Sequence, residues 1–390
     1  MEYGWADQFK AFGDEVRQFA KEFKTPEMEA ALQEAGDEGQ VSAATGKKIR
    51  DAVEARGWMR MCWPPEYGGE GKSAWYQYIL SDVLTREGIP YSLGTAAMIG
   101  PALQKFGTDY QKEKYLPGLW SGDITCALGY SEPNAGTDLA SLETRATRDG
   151  DEYVINGQKI WTSQAHTASH VWLAARTDPT APKHRGVSMF IVPLDAQGIS
   201  VRPIWTSAGI RTNETFYEDV RVPVDALIGE ENRGWYIAAN ALDHERLVLG
   251  GYAPLTMTYG RLMAHLKQDR PEILRDRAAR ARLAEFVVDL HIMRALTLTN
   301  ASVVAEGGTP TMQASMVKIY GSELRYRMNS TAMDLVGRYG AISPESKGVA
   351  AAEGAFEKEF RGSPVMRFGA GTNEVQRNIV AQRGLGLPRA

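Results

Sequence analysis

The chain has 390 residues, of which 43% are hydrophobic and 24% are charged, and its formal net charge is −4. This composition is ordinary for a folded globular protein and leaves room for two or three domains. The acidic balance offers no electrostatic basis for binding nucleic acid or an anionic membrane surface, so both classes of partner are excluded.

Targeting and metal-binding signals are missing from the sequence. No apolar run approaches the ~20 residues that span a bilayer, and the first residues lack a basic and then apolar signal pattern. The two cysteines, Cys62 and Cys126, stand in apolar settings and are typical of reduced core thiols. We therefore expect a cytoplasmic protein without a membrane span and without a metal site.

Helical and strand-like periodicity divides the chain into three blocks. Residues 1–122 are predicted to form an all-α domain, residues 123–230 a β domain, and residues 231–390 a helical bundle. In the first block, Ser73 is the predicted N-cap of a helix that ends near Glu87. The predicted fold is therefore α+β and multidomain.

The middle block contains seven short strand-like runs in about 100 residues, which favours an antiparallel barrel or sandwich. The predicted strands cover residues 124–130, 143–148, 153–160, 169–175, 187–193, 199–204 and 214–220. The last block favours a four-helix bundle. Its predicted long helices cover residues 235–266, 272–305, 311–336 and 344–361, followed by a shorter one over 372–383.

Two stretches of the middle block carry the residues of a candidate ligand site. Residues 131–138 read Ser-Glu-Pro-Asn-Ala-Gly-Thr-Asp after a buried strand, and Gly136 would let the backbone approach a ligand closely. Residues 161–163 read Trp-Thr-Ser and are predicted to end a strand. A flat ring beside hydroxyls and a small-residue loop suits a planar, phosphate-bearing cofactor. A plain β-hairpin with a core tryptophan fits the pattern equally well.

These stretches resemble the flavin-binding loop and the Trp-x-Ser/Thr strand of the acyl-CoA dehydrogenases. The likeness continues in order through Asp-His-Glu-Arg at residues 243–246 and Gly-Thr-Asn-Glu-Val-Gln-Arg at residues 371–377. It implies a FAD-dependent enzyme that oxidises an acyl-CoA to the trans-2-enoyl-CoA, with a carboxylate removing the α proton and the β hydrogen passing as hydride to flavin N5. The family's three-domain architecture agrees with the three blocks.

The position of the base departs from most of the family. Most members carry a glutamate in a C-terminal Tyr-Glu-Gly-Thr segment, where this chain has Ala370. A minority, resembling the isovaleryl and long-chain enzymes, place it on the first bundle helix, and here that implies Glu245. Its rivals are Asp243 and, less favoured, His244. The opposing interpretation is that Glu245 and Arg246 form only a solvated charge pair on a helix surface.

The resemblance also implies the remaining contacts. Ser163 would lie near flavin N5, Ser131 near the pyrimidine edge, and Trp161 against the ring system. The thioester carbonyl would be held by the backbone N–H of Ala370, where a small side chain leaves room for a bulky or branched acyl group. The implied flavin contacts are Leu128, Tyr130, Ser131, Gly136, Thr137, Trp161, Thr162, Ser163, Thr372 and Glu374; the implied substrate contacts are Thr137, Asp243, Arg246 and Ala370.

Two further departures concern assembly. In homomeric relatives a neighbouring subunit supports each flavin's ADP through an Arg-x-x-Phe-Gly segment and a Gln-x-x-Gly-Gly loop. Here residues 267–282 contain no Phe and are predicted to be Arg- and Ala-rich helix, while Asp334 and Arg338 occupy the amide and second glycine positions of the loop. This implies a non-identical partner subunit, as in the heteromeric members of bacterial sterol side-chain breakdown, whose catalytic subunits the chain resembles.

Two other functions fit the sequence. A non-catalytic structural paralogue within a heteromer is opposed by the intact loop at residues 131–137 and by Glu245. An acyl-CoA oxidase would differ only in using oxygen, whereas the family's usual acceptor is an electron-transfer flavoprotein. Steroid side chains, branched acids and aryl-alkyl acids are all compatible with the sequence as acyl groups.

Overall fold

A computed structural model describes residues 6–33, 41–91, 94–248, 251–346 and 348–388, apart from the side chains of residues 43 and 242–248. The helices in this part of the chain are α1 Asp7–Phe23, α2 Pro26–Gln33, α3 Ala43–Glu54, α4 Ala74–Arg86, α5 Ala96–Phe106, α6 Asp109–Ser121, α7 Gly234–Val248, α8 Tyr252–Asp269, α9 Arg277–Ala305, α10 Thr311–Val336, α11 Ala355–Gly362 and α12 Asn373–Ile379. The strands are β1 Cys126–Gly129, β2 Arg145–Asp149, β3 Glu152–Lys159, β4 His170–Arg176, β5 Val187–Pro193, β6 Ile199–Trp205, β7 Arg211–Pro223 and β8 Leu227–Ile228.

The packing divides the chain into two units, each assembled from separate segments. The helical unit comprises Met1–Pro26, Lys72–Tyr91 and Arg246–Ala390, and the sheet unit comprises Glu27–Gly71 and Ser92–Glu245. The order of helices, strands and helices along the chain is the predicted one, and the predicted fold class is confirmed.

The sheet has the strand order β6-β7-β3-β2-β4-β5-β8, with β1 paired to β4. Most neighbours are antiparallel, as predicted, but β4 runs parallel to both β1 and β2. All seven predicted strands are present within a few residues of their expected bounds, and the two-residue β8 is an addition. The purely antiparallel description is therefore wrong at β4, because β1 enters beside β4 from the helices and not through a hairpin.

Strand β4 is buried on both faces and joins two cores. Trp172 and Ala174 pack with residues of α5, α6 and α7, while Val171, Leu173 and Ala175 pack with residues of β3 and β7. Since successive strand residues point to opposite faces, β4 separates a core that includes helices from a core formed by residues of the sheet and its connections. The loop after β1 is held on this rigid strand.

The helical unit is built on α8, α9 and α10. Leu262, Leu283 and Leu335 belong to one core cluster of this unit, and Leu255, Phe286 and Leu324 belong to a second. Helix α1 packs on α4, and α4 packs on α8 and α9. Ser73 caps α4 through the N–H of Trp75, as predicted.

Three predicted helix bounds in this region are wrong. The helix expected over residues 235–266 is two helices, α7 and α8, and α9 begins only at Arg277, where Asp276 caps it through the N–H of Ala279 at 2.7 Å. The helix expected over 344–361 is reduced to the eight residues of α11. Ala352, Glu353 and Gly354 all have positive φ angles, and this left-handed run breaks the helix before α11.

Candidate active site

The loop after β1 turns tightly and then presents its next residues to solvent. Glu132 and Ala135 exchange two backbone hydrogen bonds of 3.0 and 3.1 Å. Ala135 is buried in the core, whereas Gly136 and Thr137 are exposed. The turn is therefore anchored from below and leaves residues 136–137 open to a ligand.

Gly136 has no structural reason within the described chain to be a glycine. A Cβ built on it would meet no atom within 4 Å, and its φ lies outside the left-handed region. Close approach of a ligand to the backbone is a reason that fits both observations. The loop thus suits a cofactor that packs directly on its main chain.

The structure brings the two predicted ligand-binding stretches together. The Ile160 N–H donates to the Ser131 carbonyl oxygen at 2.9 Å, directly before Trp161. Trp161 has a φ of 61° and is 56% exposed. It therefore lies in irregular backbone beyond β3, neither in a strand nor in the core, directly after the residue that is hydrogen-bonded to the loop.

Asn213 holds the turn that contains Trp161. The Thr162 N–H donates to the Asn213 carbonyl oxygen at 2.9 Å, and the Asn213 side-chain Nδ2 donates to the Thr162 carbonyl oxygen at 3.0 Å. Asn213 is completely buried. The sequence analysis did not identify this residue, because nothing in the alternation of β7 distinguishes a structural asparagine from any other polar residue.

The predicted hydroxyl donors divide into exposed and buried groups. Ser163 is exposed and its Oγ lies 3.1 Å from Thr212 Oγ1, while Ser131 is half-buried. Thr162 is fully buried and its hydroxyl lies 3.3 Å from Thr215 Oγ1. Ser131 and Ser163 can therefore offer side-chain groups to a surface ligand, whereas Thr162 can offer mainly backbone groups.

Two further predicted contacts lie at the base of this surface. Leu128 is half-buried in β1, and Tyr130 is 8% exposed, within the core shared with helices. Both precede the turn directly, so they belong to its support.

A buried ion pair holds the loop on its protein-facing side. Lys159 Nζ lies 2.8 Å from Glu132 Oε1 and donates to the Tyr130 carbonyl oxygen at 3.1 Å. The Glu132 carboxylate also accepts the N–H groups of Glu143 and Thr144 at 2.6 and 2.8 Å. The side chains of Glu132 and Lys159 are 7% and 0% exposed. The sequence analysis read Glu132 only as part of a motif and missed this pairing.

The pair is held as carboxylate and ammonium near neutral pH. Burial alone would raise the pKa of Glu132, but Lys159 and the hydrogen bonds of Thr144 and Glu143 lower that pKa below its usual value. Burial lowers the pKa of Lys159 to about 8, against the opposing effect of Glu132. Because both groups are desolvated, each depends on the other for its charge.

In the helical unit, the turn before α12 has an unusual backbone. Ala370 and Gly371 have φ angles of 54° and 86°. The Gln376 side-chain Nε2 donates to the Ala370 carbonyl oxygen at 3.2 Å, and Thr372 Oγ1 caps α12 by accepting the Val375 N–H at 3.2 Å. Within the described chain the Ala370 N–H donates no hydrogen bond, so it is available to a carbonyl oxygen.

Buried polar residues of α10 hold this turn. Lys318 Nζ donates to the Asn373 side-chain oxygen at 2.7 Å and to the Arg367 carbonyl oxygen at 3.0 Å. Ser315 Oγ donates to the Gln376 side-chain oxygen at 2.8 Å. Glu374, a predicted flavin contact, is exposed. The network was not predicted, since buried polar residues inside α10 read as ordinary helix positions.

The predicted base lies on α7, at a position whose side chain is outside the described part of the structure, as are those of Asp243, His244 and Arg246. The helix buries Ile237, Ala238 and Ala241 in the core shared with the sheet. With roughly 3.6 residues per turn, position 245 falls on the same side of the helix backbone as Ala241 and Ala238, four and seven residues earlier. Position 243 falls on the opposite face.

Comparison with known proteins identifies the family. The N-terminal, middle and C-terminal domains of the acyl-CoA dehydrogenases match residues 6–123, 127–220 and 232–385. Acyl-CoA dehydrogenase FadE26 of Mycobacterium tuberculosis is 38% identical, with both chains fully covered. The chain belongs to the acyl-CoA dehydrogenase family.

Solved structures of this family include heteromeric relatives. The Tcur3481-Tcur3483 steroid ACAD is 40% identical, with a TM-score of 0.89 and full coverage of both chains. The ChsE4-ChsE5 complex of Mycobacterium tuberculosis is 36% identical, with a TM-score of 0.88 and full coverage of both chains. Acyl-CoA dehydrogenation is thus the activity of full-length relatives of this chain.

The two segments for which the sequence predicts a difference from homomeric relatives are linked by an ion pair. Arg282 Nη2 donates to Asp334 at 2.9 Å and to Thr331 Oγ1 at 3.0 Å. The charge of Asp334 is therefore balanced inside this chain. Arg338 stacks on the ring of Tyr339 at 5.1 Å, and both residues are exposed. Residues 267–282 are not one helix, because α8 ends at Asp269 and a 3-10 turn, Ile273–Arg275, precedes α9.

Metal-binding clusters and membrane-spanning helices are both absent from the described residues. No group of three or more His, Cys, Asp or Glu side chains among them could hold a metal ion. None of the helices they form is long and apolar enough to cross a membrane.

Proposed function

We propose that this acyl-CoA dehydrogenase is a FAD-containing catalytic subunit that acts on a bulky or branched acyl-CoA, with Glu245 as the α-proton base. The observation that carries the flavin assignment is the hydrogen bond from Ile160 to Ser131, which unites an exposed Trp161 with the open loop at Gly136. When bound, the flavin supplies the acceptor for the hydride that leaves the β carbon.

Residues of both units are proposed to bind the flavin. In the sheet unit these are Leu128, Tyr130, Ser131, Gly136, Thr137, Trp161, Thr162 and Ser163. In the helical unit they are Thr372 and Glu374. The exposed Trp161 offers a flat apolar face to a planar ring, and Ser131 and Ser163 offer hydroxyl groups, which supports the assignment.

The α proton of a thioester is weakly acidic, so the substrate carbonyl must be polarised while the base acts. The N–H of Ala370 would donate to that carbonyl oxygen, and a preorganised donor of this kind typically contributes ~3–4 kcal/mol. The small side chain of Ala370 leaves space for branching near the reacting carbons. Thr137, Asp243 and Arg246 would bind the thioester and nucleotide side of the substrate.

The helical position favours Glu245 over Asp243 as the base. Position 245 follows the stripe of Ile237, Ala238 and Ala241, which packs into the protein, while position 243 does not. A carboxylate close to an apolar surface has a raised pKa, as a general base near neutral pH requires. This reasoning opposes the interpretation of Glu245 and Arg246 as a solvated surface pair.

Anaerobic bleaching of the flavin by a panel of acyl-CoAs tests the proposal. Glu245→Gln should keep flavin and ligand binding but slow bleaching by at least about 100-fold, the usual contribution of a positioned base. Asp243→Asn is the matched control: as a substrate contact it should weaken acyl-CoA binding, but at saturating acyl-CoA it should bleach within a few-fold of wild type. Wild-type bleaching by Glu245→Gln would show that the base is elsewhere.

The assembly, domain division and location follow as parts of the same proposal. We infer a non-identical acyl-CoA dehydrogenase-like partner subunit, because the chain lacks the Arg-x-x-Phe-Gly and Gln-x-x-Gly-Gly segments. Two relatives of known structure are named as a two-protein steroid ACAD and a two-protein complex, which supports this view and a steroid side chain as the acyl group. The functional domains would be 1–122, 123–230 and 231–390, in a cytoplasmic enzyme that passes electrons to an electron-transfer flavoprotein.

A further inference from the structure

The segment that follows β3 has an unfavourable backbone at two residues. Trp161 and Gln164 have φ angles of 61° and 66°, in the left-handed region that side chains with a Cβ disfavour. Within the segment, the Ser163 N–H donates to the Trp161 carbonyl oxygen at 2.9 Å. A single short-range bond of this kind does not enforce such angles, so contacts from outside the segment must hold it in this conformation.

Asn213 of β7 supplies such contacts at two positions of the segment. Its carbonyl oxygen accepts the Thr162 N–H at 2.9 Å, and its side-chain Nδ2 donates to the Thr162 carbonyl oxygen at 3.0 Å. The same Nδ2 lies 3.3 Å from His166 Nδ1. Because Asn213 is completely buried, water does not compete for these hydrogen bonds, and Asn213 fixes the backbone between Trp161 and Ser163.

Arg211 determines the orientation of the Asn213 amide. Its Nε donates to Asn213 Oδ1 at 3.0 Å, and since a guanidinium has donors and no acceptor, only the amide oxygen can face it. The two N–H bonds of Nδ2 then point to Thr162 and His166. His166 Nδ1 is the acceptor in this arrangement, which requires the tautomer with its proton on Nε2. The three side-chain contacts of Asn213 are thus compatible with one orientation of the amide only.

The side chains that flank Asn213 on β7 contact the segment through hydroxyl groups. Thr212 Oγ1 lies 3.1 Å from Ser163 Oγ, and Thr215 Oγ1 lies 3.3 Å from Thr162 Oγ1. A hydroxyl group can rotate and can serve as donor or acceptor, so these pairs do not determine the direction of the main chain. The direction depends on Asn213, which bonds to both backbone groups of Thr162.

We infer that Asn213 and Arg211 are positioning residues for the flavin ring. This inference rests on the proposed function, which assigns residues 161–163 to the flavin. Asn213 acts through the backbone of Thr162, from which the exposed Trp161 and Ser163 extend on either side, and Arg211 acts through the Asn213 amide. Without these hydrogen bonds the segment can leave its left-handed conformation, so the ring would bind less tightly and in less defined geometry.

Asn213→Asp tests the inference, because aspartate keeps the shape and the acceptor for Arg211 but has no N–H for Thr162 or His166. After the flavin has been removed from the purified protein, hydrogen exchange of residues 160–167 should be about tenfold faster than in wild type, the effect of one lost hydrogen bond. FAD titrated into this protein should bind about tenfold more weakly, and the visible circular dichroism of the bound flavin should change.

Two further readouts separate a positioning role from a general loss of stability. At saturating acyl-CoA, bleaching of Asn213→Asp should be at least about tenfold slower, because small displacements of reacting groups are costly, while the Kd of acyl-CoA stays within a few-fold of wild type. The loss of FAD affinity should be smaller in a Trp161→Ala background, since both changes then affect the same contact.

Thr215→Val is the matched control, since Thr215 is as buried as Asn213 on the same strand and contacts only the Thr162 side chain within this segment. It should keep the wild-type exchange, FAD affinity and circular dichroism. Arg211→Met leaves the Asn213 amide free to rotate and should cause a smaller loss of the same kind. Arg211→Lys should recover part of that loss, because an ammonium group also has donors only.

Three outcomes would overturn the inference. Asn213→Asp that unfolds more easily, yet keeps wild-type FAD affinity, circular dichroism and bleaching, would show that Asn213 only stabilises the sheet, and the proposed function would remain intact. If Asn213→Asp does not fold, wild-type values of the same three quantities in Arg211→Met would overturn the inference in its place. Failure of the wild-type protein to bind FAD would overturn the proposed function together with this inference.

Discussion

Two non-glycine residues with left-handed backbones lie in the two stretches assigned to the flavin and the substrate carbonyl. Trp161 and Ala370 have φ angles of 61° and 54°, each at a cost of roughly 1–2 kcal/mol. Asn213 and Gln376 supply the hydrogen bonds that hold the two turns. Such conformations persist where the surrounding structure enforces them, and here they set the direction of an aromatic ring and of a backbone N–H.

The position of the base can be tested by returning it to the place that most family members use. In Glu245→Gln/Ala370→Glu a carboxylate is restored at residue 370, so flavin bleaching should recover at least about tenfold over Glu245→Gln alone, a part of the contribution of a positioned base. Anaerobic stopped-flow absorbance with a straight-chain acyl-CoA measures this, because the larger side chain at 370 would exclude branched chains.

Glu245→Gln/Ala370→Gln is the control, since it has the same bulk at residue 370 without a base. If Glu245→Gln/Ala370→Glu retains flavin and ligand yet bleaches no faster than this control, that result would show that a carboxylate at residue 370 cannot replace Glu245 as the base.

At the scale of elements, the sequence determined the strands well and the helix ends poorly. Strand β5 was predicted with its observed bounds because all of its residues from Val187 to Pro193 except Ser188 are apolar. The helix expected from Pro344 failed because Ala352 and Glu353 adopt left-handed angles, which neither residue type favours and no periodicity reveals. Tertiary packing overrides local preference there.

Some residues of the candidate site could be predicted from the sequence and others could not. The resemblance supplied Trp161 and the loop residues, and the structure places them together. It did not supply Lys159 or Asn213, because each acts on a residue far away in the sequence, at Glu132 and Thr162 respectively. Such long-range pairs follow from strand register, which the sequence does not reveal without the fold.

The Glu132–Lys159 pair gives a stability prediction for the loop and β3. Lys159→Met leaves a buried, unpaired carboxylate and should lower the free energy of unfolding by about 3–5 kcal/mol, whereas Glu132→Gln/Lys159→Met removes both charges and should recover most of this loss. Chemical denaturation and flavin content measure the two effects. A single variant within about 1 kcal/mol of wild type would show that the pair does not hold the loop.

The stabilising contribution of the Glu132–Lys159 pair depends on pH. The pKa of Glu132 is lower in the folded state than its usual value, so its stabilising contribution is complete above the unfolded pKa and is lost as the pH falls through the folded pKa. The difference in free energy of unfolding between wild type and the charge-free variant Glu132→Gln/Lys159→Met should therefore shrink as the pH falls through the folded pKa of Glu132, which denaturation at a series of acid pH values measures.

For the whole molecule, several large apolar side chains of the helical unit are exposed. Val288 and Ile292 of α9 are 60% and 42% exposed, and Phe368 and Leu385 are 59% and 68% exposed. Single exposed apolar residues are common, whereas a contiguous patch of them is typical of a surface that associates with another chain. Substitution of Val288 and Ile292 by Lys should therefore weaken association with the inferred partner subunit if these residues form such a patch.

The composition of the assembly decides the partner proposal. If a non-identical subunit completes each flavin site, this chain copurified with that subunit should contain about one flavin per two chains, and the chain expressed alone should contain much less. Flavin absorbance against protein mass, with the oligomer mass from light scattering, measures the ratio.

Asp334→Gln/Arg338→Gly restores Gln-x-x-Gly-Gly across residues 334–338 and should raise the flavin content of the chain alone. It also removes the partner of Arg282, so Asp334→Gln without the second change is the matched control. A fully flavin-loaded homo-oligomer of the unaltered chain would rule out the need for a second kind of subunit, because both faces of every site would then come from one sequence.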